Sequence, residues 1–498
     1  MPRRRQKISV AYPRDSRSAE RVDEVAGWAR GAYRLGDSAD RWEAHRARPG
    51  DMESGAPVLS LDDYSTIPYV ESVVGLHWYQ YRARLRCGDG DIYAVAQGGI
   101  EGYEAYNRSY LGLGRAEAVR LDAPGPGLPL ARLLAADETA FARLVAAARD
   151  GGELLVHPYM AIESVWELAR ALSESAGVPV RVLGPLPEVA RLANDKARFS
   201  DVVERLLGYD ALVHTASSAD PLVVAEHICE IAGRGEAVAL KMPSSASGMG
   251  NRVFESREIR DKPMRWIREL VERFLEETEW DGSETPLVVE WHRDVLESPS
   301  TQCWIPPVGA GDPQVEAVYE QSLVGEQGVF EGAMLSGLPA RIRREFMIRS
   351  WMVCRVFQEL GYTGRCSFDG LVVGRTLEDA QVKFVECNGR WGGTSTPMHL
   401  MKRVFGDFRA RPYKAQDYVD HRLLGLGFPE LLEIFDGALY DRRTGRGRVL
   451  LYNVGGVTDH GKFDIVVTGR TFADVERFIR EGVPARIARY LGPGPAGR

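Results

Sequence analysis

Apolar positions along the chain fall into two alternating rhythms. Val58 to Leu61, Ile92 to Ala96, Leu154 to His157 and Val180 to Leu183 are short β-branched or aromatic runs that read as strands, whereas Asp137 to Ala148 and Glu163 to Ala176 carry helical spacing. That alternation predicts a layered α/β domain over residues 56–186 with an at least partly parallel sheet. Residues 1–55, ahead of it, are rich in Arg, Asp and Glu and hold one helical pattern, from Ser18, a natural N-cap, to about Tyr33. The glycines do not make a dinucleotide site: Gly112-Leu113-Gly114 is followed by Glu117 where a third glycine belongs, and no P-loop occurs. The domain reads as scaffold or substrate-binding wall.

Two lysines break the pattern further on. Val189, Leu192, Lys196, Phe199, Val203 and Leu206 recur at steps of three and four as one helical face, and a charge inside such a stripe is costly unless an anion meets it. Lys196 either snorkels to the edge of the core or aims its ammonium at a phosphate. Ala237 to Leu240 make a strand ending at Lys241, and a Ser/Gly loop from Pro243 to Asn251 follows. Small residues there, among them Ser247, Gly248, Met249 and Gly250, let backbone N–H groups approach an anion; the plainer reading is a glycine-rich hairpin turn with an edge lysine. Pro286 to Trp291 is another apolar strand, ending in Glu290 and Trp291, where backbone groups entering a linker can read a purine edge, and Glu297 lies just beyond.

Pro306 to Leu338 contains Gly and Pro and is expected to form loops around the site; Ala340 to Leu360 is an amphipathic helix that Gly361 ends. Next come two apolar runs, Cys366 to Val373 and Gln381 to Asn388, which predict an antiparallel hairpin. If Val373 sits opposite Val382, Asp369 faces Glu386, and opposed side chains lie about 4.5–5.5 Å apart at Cβ. Two carboxylates so placed repel unless a cation lies between them, and Asn388, on the same face as Glu386, adds a neutral oxygen suited to a hard metal. A polar patch at the solvated end of a hairpin is the alternative. After Leu400, helical patches around Tyr418 and Leu431, a hairpin from Ala438 to Val454, a strand near Phe463 to Val467 and a last helix read as a small α/β module.

Composition narrows the function. The 498 residues suggest about three domains. With 27% charged and 44% hydrophobic residues the composition is that of an ordinary soluble protein, and a net charge of -7 argues against nucleic-acid binding. Six cysteines without a CxxC pair give neither a disulfide framework nor a zinc signature. No run has signal-peptide or membrane-span character, so a cytoplasmic protein with no membrane partner is expected. A homo-oligomer is left open.

The order of buried lysine, strand lysine with Gly/Ser loop, strand with hinge carboxylate, then Asp369 and Glu386-Cys387-Asn388-Gly389-Arg390 resembles the ATP-grasp superfamily over roughly Pro187 to Leu400. The closing motif looks like that family's Glu-x-Asn-x-Arg signature. The flanking regions are similar to those of the peptide ligases of pheganomycin biosynthesis, an antibiotic pathway. The resemblance implies an ATP-grasp fold of two α+β lobes gripping ATP (187–288 and 289–404), preceded by a Rossmann-like pre-ATP-grasp domain and followed by a small α/β module (405–498). It implies that Lys196, Lys241 and the loop Ser247 to Gly250 hold ATP phosphates, that Glu290 and the backbone from Trp291 meet adenine, and that Glu297 holds the ribose. Asp369, Glu386 and Asn388 would bind Mg²⁺, with Arg390 and Lys241 facing the transferred phosphoryl group. The activity implied is an ATP-dependent ligase that activates a carboxylate, of a nonproteinogenic amino acid, as an acyl phosphate and couples it to the amine of an amino acid or peptide. Relatives often carry Arg two residues before the metal Asp; here Ser367 stands there and Arg365 lies two residues further back.

A protein-kinase reading, invited by Val238-Ala239-Leu240-Lys241 and His292-Arg293-Asp294, fails because the Gly-rich loop follows the lysine instead of preceding it. A small-molecule kinase with the same nucleotide cradle, or a non-catalytic nucleotide-binding regulator, stays open as an alternative.

Overall fold

The computed structural model describes residues 10–36, 39–66, 74–123, 128–242, 251–282, 285–324 and 329–492, and it builds three sheets. In the first, β1 (Val58–Leu61), β2 (Ile92–Val95), β3 (Glu117–Arg120), β4 (Leu154–Pro158) and β5 (Val180–Val182) run parallel in the order β3-β2-β1-β4-β5. Four of these were legible as apolar runs. β3 was not, because Val119 is its one buried residue. The helices Glu138–Gly151 and Glu163–Ala176 pack against one another beside this sheet, close to their expected limits. The N-terminal helix runs Ser16–Ala32, capped by Asp15 rather than Ser18.

The helical face that held Lys196 is broken in two. Pro187–Asn194 and Lys196–Leu207 are separate helices, because the Asp195 carboxylate accepts from Arg198 N and caps a new start there. Lys196 is thus the first residue of a helix, free to leave the apolar stripe that Leu192, Phe199, Val203 and Leu206 keep.

A second sheet holds β6 (Thr215–Ser217), β7 (Ala237–Lys241), β8 (Asn251–Glu255) and β9 (Leu287–Trp291), antiparallel in the order β6-β9-β7-β8. With the helices Pro221–Arg234 and Met264–Glu277 it closes a core of its own around Val238, Leu240, Val288, Ile228 and Phe274. The third sheet contains β10 (Val295–Glu297), β11 (Pro299–Ile305), β12 (Gln314–Val324), β13 (Val329–Leu335), β14 (Gly364–Val373), β15 (Gln381–Asn388), β16 (Tyr413–Val419), β17 (Val449–Tyr452) and β18 (Lys462–Thr468). β15 pairs with β14 alongside the path β10-β14-β11-β12-β13-β16-β18-β17. The segment expected as loops is therefore largely a hairpin: Val315 and Ala317 are buried between more exposed Gln314 and Glu316, a period of two that gives way to the continuously buried run Ala317, Val318 and Tyr319. Tyr418 belongs to β16 rather than to a helical patch, and the strands of the expected C-terminal α/β module extend the same sheet as the acidic hairpin.

One buried ion pair ties the end of β1 to the stretch Leu76–Arg86: Arg86 Nη2 meets Asp62, both side chains at most 1% exposed. Removing one partner strands the other's charge. Asp62→Ala is expected to lower unfolding free energy by about 3–5 kcal/mol, and the double apolar replacement Asp62→Leu with Arg86→Met by clearly less; denaturant titration checks both.

Candidate active site

The site is built on the β14–β15 hairpin. Asp369 is directly opposite Glu386, as anticipated, but by a different register: Val372 pairs with Val382 and Val373 with Gln381, and a bulge between Asp369 and Gly370 restores the offset. A Cβ on Gly370 would lie 2.8 Å from Phe346 Cζ and 3.0 Å from Lys383 O, so no side chain fits at the bulge without displacement. Asp369 accepts from Gln321 Nε2 and Asn388 Nδ2, each at 3.0 Å, which leaves the Asn388 carbonyl oxygen for another partner. Past the strand, Gly389 N–H donates to Asn194 Oδ1 at 3.0 Å, and a Cβ there would lie 2.8 Å from Asn194 Nδ2. This close approach ties the hairpin to the end of helix Pro187–Asn194, one residue before the cap that frees Lys196.

Lys196 Nζ lies 2.7 Å from Glu386 Oε2. Burial alone would push Glu386 up, but Lys196, Arg390 and Lys241 hold its carboxyl below the ordinary value. Glu386 in turn raises Lys196. Lys241 is lowered by burial and then by the positive charge of Lys196, so the two ammonium groups share one electrostatic neighbourhood with Glu386. Burial and the Glu386 charge push Asp369 up to about 6, against hydrogen bonds from Ser300 and Asn388 and the charge of Arg390. Two carboxylates and an amide oxygen, held together at an electrostatic cost, form a donor set that fits a hard divalent cation.

Other expected residues fare differently. Ala237 pairs with Trp291, so Lys241 and Trp291 lie on one face of the sheet, with the ammonium 4.8 Å from the indole centroid. Glu290 alternates to the opposite face. Its buried carboxylate accepts from His214 N at 3.3 Å and lies 3.3 Å from His292 Nε2, and its own N–H donates to His214 O at 2.8 Å, so the side chain serves the strand junction. Glu297 is on strand β10 at the edge of the sheet, its pKa raised by partial burial and by Glu320. The loop Ser247 to Gly250 lies outside the described residues. Arg365 is taken up by Glu316 and packs over the Trp304 and Trp391 rings at 5.4 and 5.3 Å.

A cavity of about 620 Å³ opens at the hairpin, and its lining includes residues that the sequence did not single out. Tyr159 follows β4 at its C-terminal end, beside β1, where the parallel sheet reverses its winding order and where ligands bind in such sheets. Its hydroxyl accepts from Arg390 Nη1 at 3.0 Å, and its ring stands 4.6 Å from that of Tyr64. Arg390 stays charged, since Tyr159, Glu386 and Asp369 outweigh its burial. Gln321, Ser300, Tyr79 and Arg82, together with Asp417 and Lys462 from the C-terminal strands, complete the wall.

No protein-family model matches the sequence, and no curated protein matches it significantly. Solved structures do. The biotin carboxylase domain dimer of Hydrogenobacter thermophilus 2-oxoglutarate carboxylase, in complex with MgADP, ADP and bicarbonate, matches at 12% identity over 88% of this chain and 94% of its own, with a TM-score of 0.50. N5-carboxyaminoimidazole ribonucleotide synthetase from Thermus thermophilus matches at 15% identity over 84% of this chain and 98% of its own, with a TM-score of 0.47. N5-carboxyaminoimidazole synthase from Aspergillus clavatus, with ADP and 5-aminoimidazole ribonucleotide, matches at 13% over 80% and 98%, with a TM-score of 0.44. The architecture is the ATP-grasp fold, with a Rossmann-like parallel sheet in front and antiparallel lobes behind.

The raised Asp369 gives a pH signature. In the folded chain without divalent cation it binds its proton more tightly than in the unfolded chain, where a carboxyl titrates near about 3.9. Its contribution to stability is therefore greatest below about pH 4 and falls as pH rises to about 6, then levels. Asp369→Asn is expected to remove that fall, measured by denaturant titration in EDTA across this range.

Proposed function

We propose that the protein is an ATP-dependent carboxylate–amine ligase that uses Mg²⁺. The observation that carries the reading is the grouping of Asp369, Glu386, Asn388 and Arg390 around one cavity, with Lys196 paired to Glu386 at 2.7 Å and Lys241 on the small sheet close enough to feel both charges. The MgADP and bicarbonate held by the biotin carboxylase domain of the same fold support it.

Lys196 and Lys241 would grip the phosphates, and the backbone after Glu290 with the Trp291 ring would receive the base. Asp369, Glu386 and the Asn388 carbonyl would hold the metal, which when bound neutralises charge on the triphosphate. The substrate carboxylate attacks the γ-phosphorus, breaking its bond to the β–γ bridging oxygen and releasing ADP. The amine then adds to the acyl phosphate carbon, and phosphate leaves as the C–N bond forms. Arg390, fixed by Tyr159, faces the charge that develops in both steps. Such chemistry asks for positioning and charge neutralisation rather than a covalent protein group. The finer reading, a nonproteinogenic amino acid as acyl donor and an amino acid or peptide as acceptor, extends the proposal from the resemblance noted in the sequence.

Glu386→Ala is expected to lower ATP turnover by about 100-fold or more. Lys196→Met, which keeps side-chain volume, should weaken nucleotide binding by about tenfold, or ~1.4 kcal/mol, while the fold survives. Hydroxylamine should trap the activated acid as a hydroxamate with release of ADP and free phosphate. Unchanged turnover in Glu386→Ala, or a phosphorylated acceptor with no free phosphate, overturns the ligase reading; the latter outcome marks a phosphotransferase.

A further inference from the structure

We infer that the wall which β16 and β18 add to the cavity is a subsite for a carboxamide group of the substrate, with Asp417 and Lys462 as its specificity-determining residues. The inference rests on the ligase reading above and deepens it, for nothing in the nucleotide cradle or the acidic hairpin selects the molecule to be joined.

Asp417 on β16 and Lys462 on β18 line the same cavity as Asp369 and Arg390. Lys462 Nζ lies 3.0 Å from Asp417 Oδ2 and donates to the Tyr79 hydroxyl at 2.7 Å, with the two side chains only 14% and 24% exposed. The scaffold beneath is tied together by polar contacts. Asp464, directly opposite Asp417 across the strands, is fully buried and held by Arg82 and by Asn453 Nδ2 at 2.9 Å, and the Arg82 guanidinium stacks 3.9 Å over the Tyr79 ring. One wall is thereby joined from the parallel-sheet domain and the C-terminal strands.

The chemistry of this wall follows from what the pair still offers. The two charges cancel, so a free anion or cation would bind only by breaking a largely buried bridge, which leaves one charge without a partner. An ammonium carries three N–H donors, and two are engaged here; a carboxylate has about four lone-pair sites, and Lys462 occupies one side. A spare donor next to a spare acceptor complements a carboxamide, whose C=O takes the ammonium and whose N–H meets the carboxylate, both as charge-assisted bonds. A substrate with an internal amide can thus rest on this wall while its reacting group lies toward Arg390, within a space of the size that small-molecule sites use.

The test compares ADP release by the full-length protein with Mg–ATP and Xaa-Gly dipeptides, one for each standard amino acid, against the corresponding free amino acids, while calorimetry with Mg–ADP follows the nucleotide site separately. Dipeptides are expected to stimulate release at least tenfold more than free amino acids. Lys462→Met and Asp417→Asn, each checked for folding by circular dichroism, are expected to raise KM for dipeptides at least tenfold with KM for ATP within twofold, and Lys462→Arg should recover most of the loss. Equal or absent stimulation by dipeptides, or variants with unchanged dipeptide KM, overturns the inference even where Mg–ADP binds; failure of Mg–ADP to bind overturns the ligase reading itself.

Discussion

Two like charges placed across one β-ladder are the constraint that the site answers to. Asp369 and Glu386 cannot both stay ionised at that spacing without positive charge close by, which Lys196, Arg390 and Lys241 supply. Asp195 ends one helix and starts another so that Lys196 reaches Glu386; Asn194 pins Gly389 so that the chain turns and Arg390 faces back; β7 delivers Lys241. The two carboxylates are neutralised unequally: Lys196 meets Glu386 at 2.7 Å, whereas burial and the Glu386 charge keep Asp369 raised.

The packing explains how such a strained arrangement persists. The apolar side of the hairpin, with Phe368, Phe384 and Val382, belongs to a core that continues through the helix Ala340–Glu359 into the parallel sheet. Cys303, Cys354 and Cys366 lie in that core with their sulfur atoms within 4.8 Å of one another, and burial pushes each thiol up so that all remain uncharged. They behave as small apolar groups under the charged face. A second core joins Tyr81 and Tyr93 of the parallel domain to the C-terminal strands, so the cavity lies where three stretches of chain share packing.

What the sequence disclosed was local. Asp369, Glu386 and Asn388 stand within one hairpin, and strand alternation alone orients them; Arg390 follows two residues past the strand end. The pairing of Asp369 with Glu386 was reached from an offset one residue wrong at the turn, which the bulge cancels; such bulges have no periodic signal. The helical stripe through Lys196 was right in its apolar members and wrong in its continuity, since an Asp cap inside a regular pattern splits a helix without changing the spacing. Glu290 was chosen for its position at a strand end, whereas its parity relative to Lys241 depends on which residues pair across β7 and β9. Tyr159, Gln321, Tyr79, Asp417 and Lys462 reach the cavity through the order of strands in two sheets, which no short window of sequence encodes.

Lys196 and Lys241 stand on units with different interiors: the first on a helix sealed into the body of the molecule, the second on a strand whose hydrophobic contacts are confined to the small sheet and its two helices. Their mutual repulsion therefore acts across a seam rather than within one packed block. An anion lodged between them would replace that push with a clamp, making the anion itself the fastener across the seam.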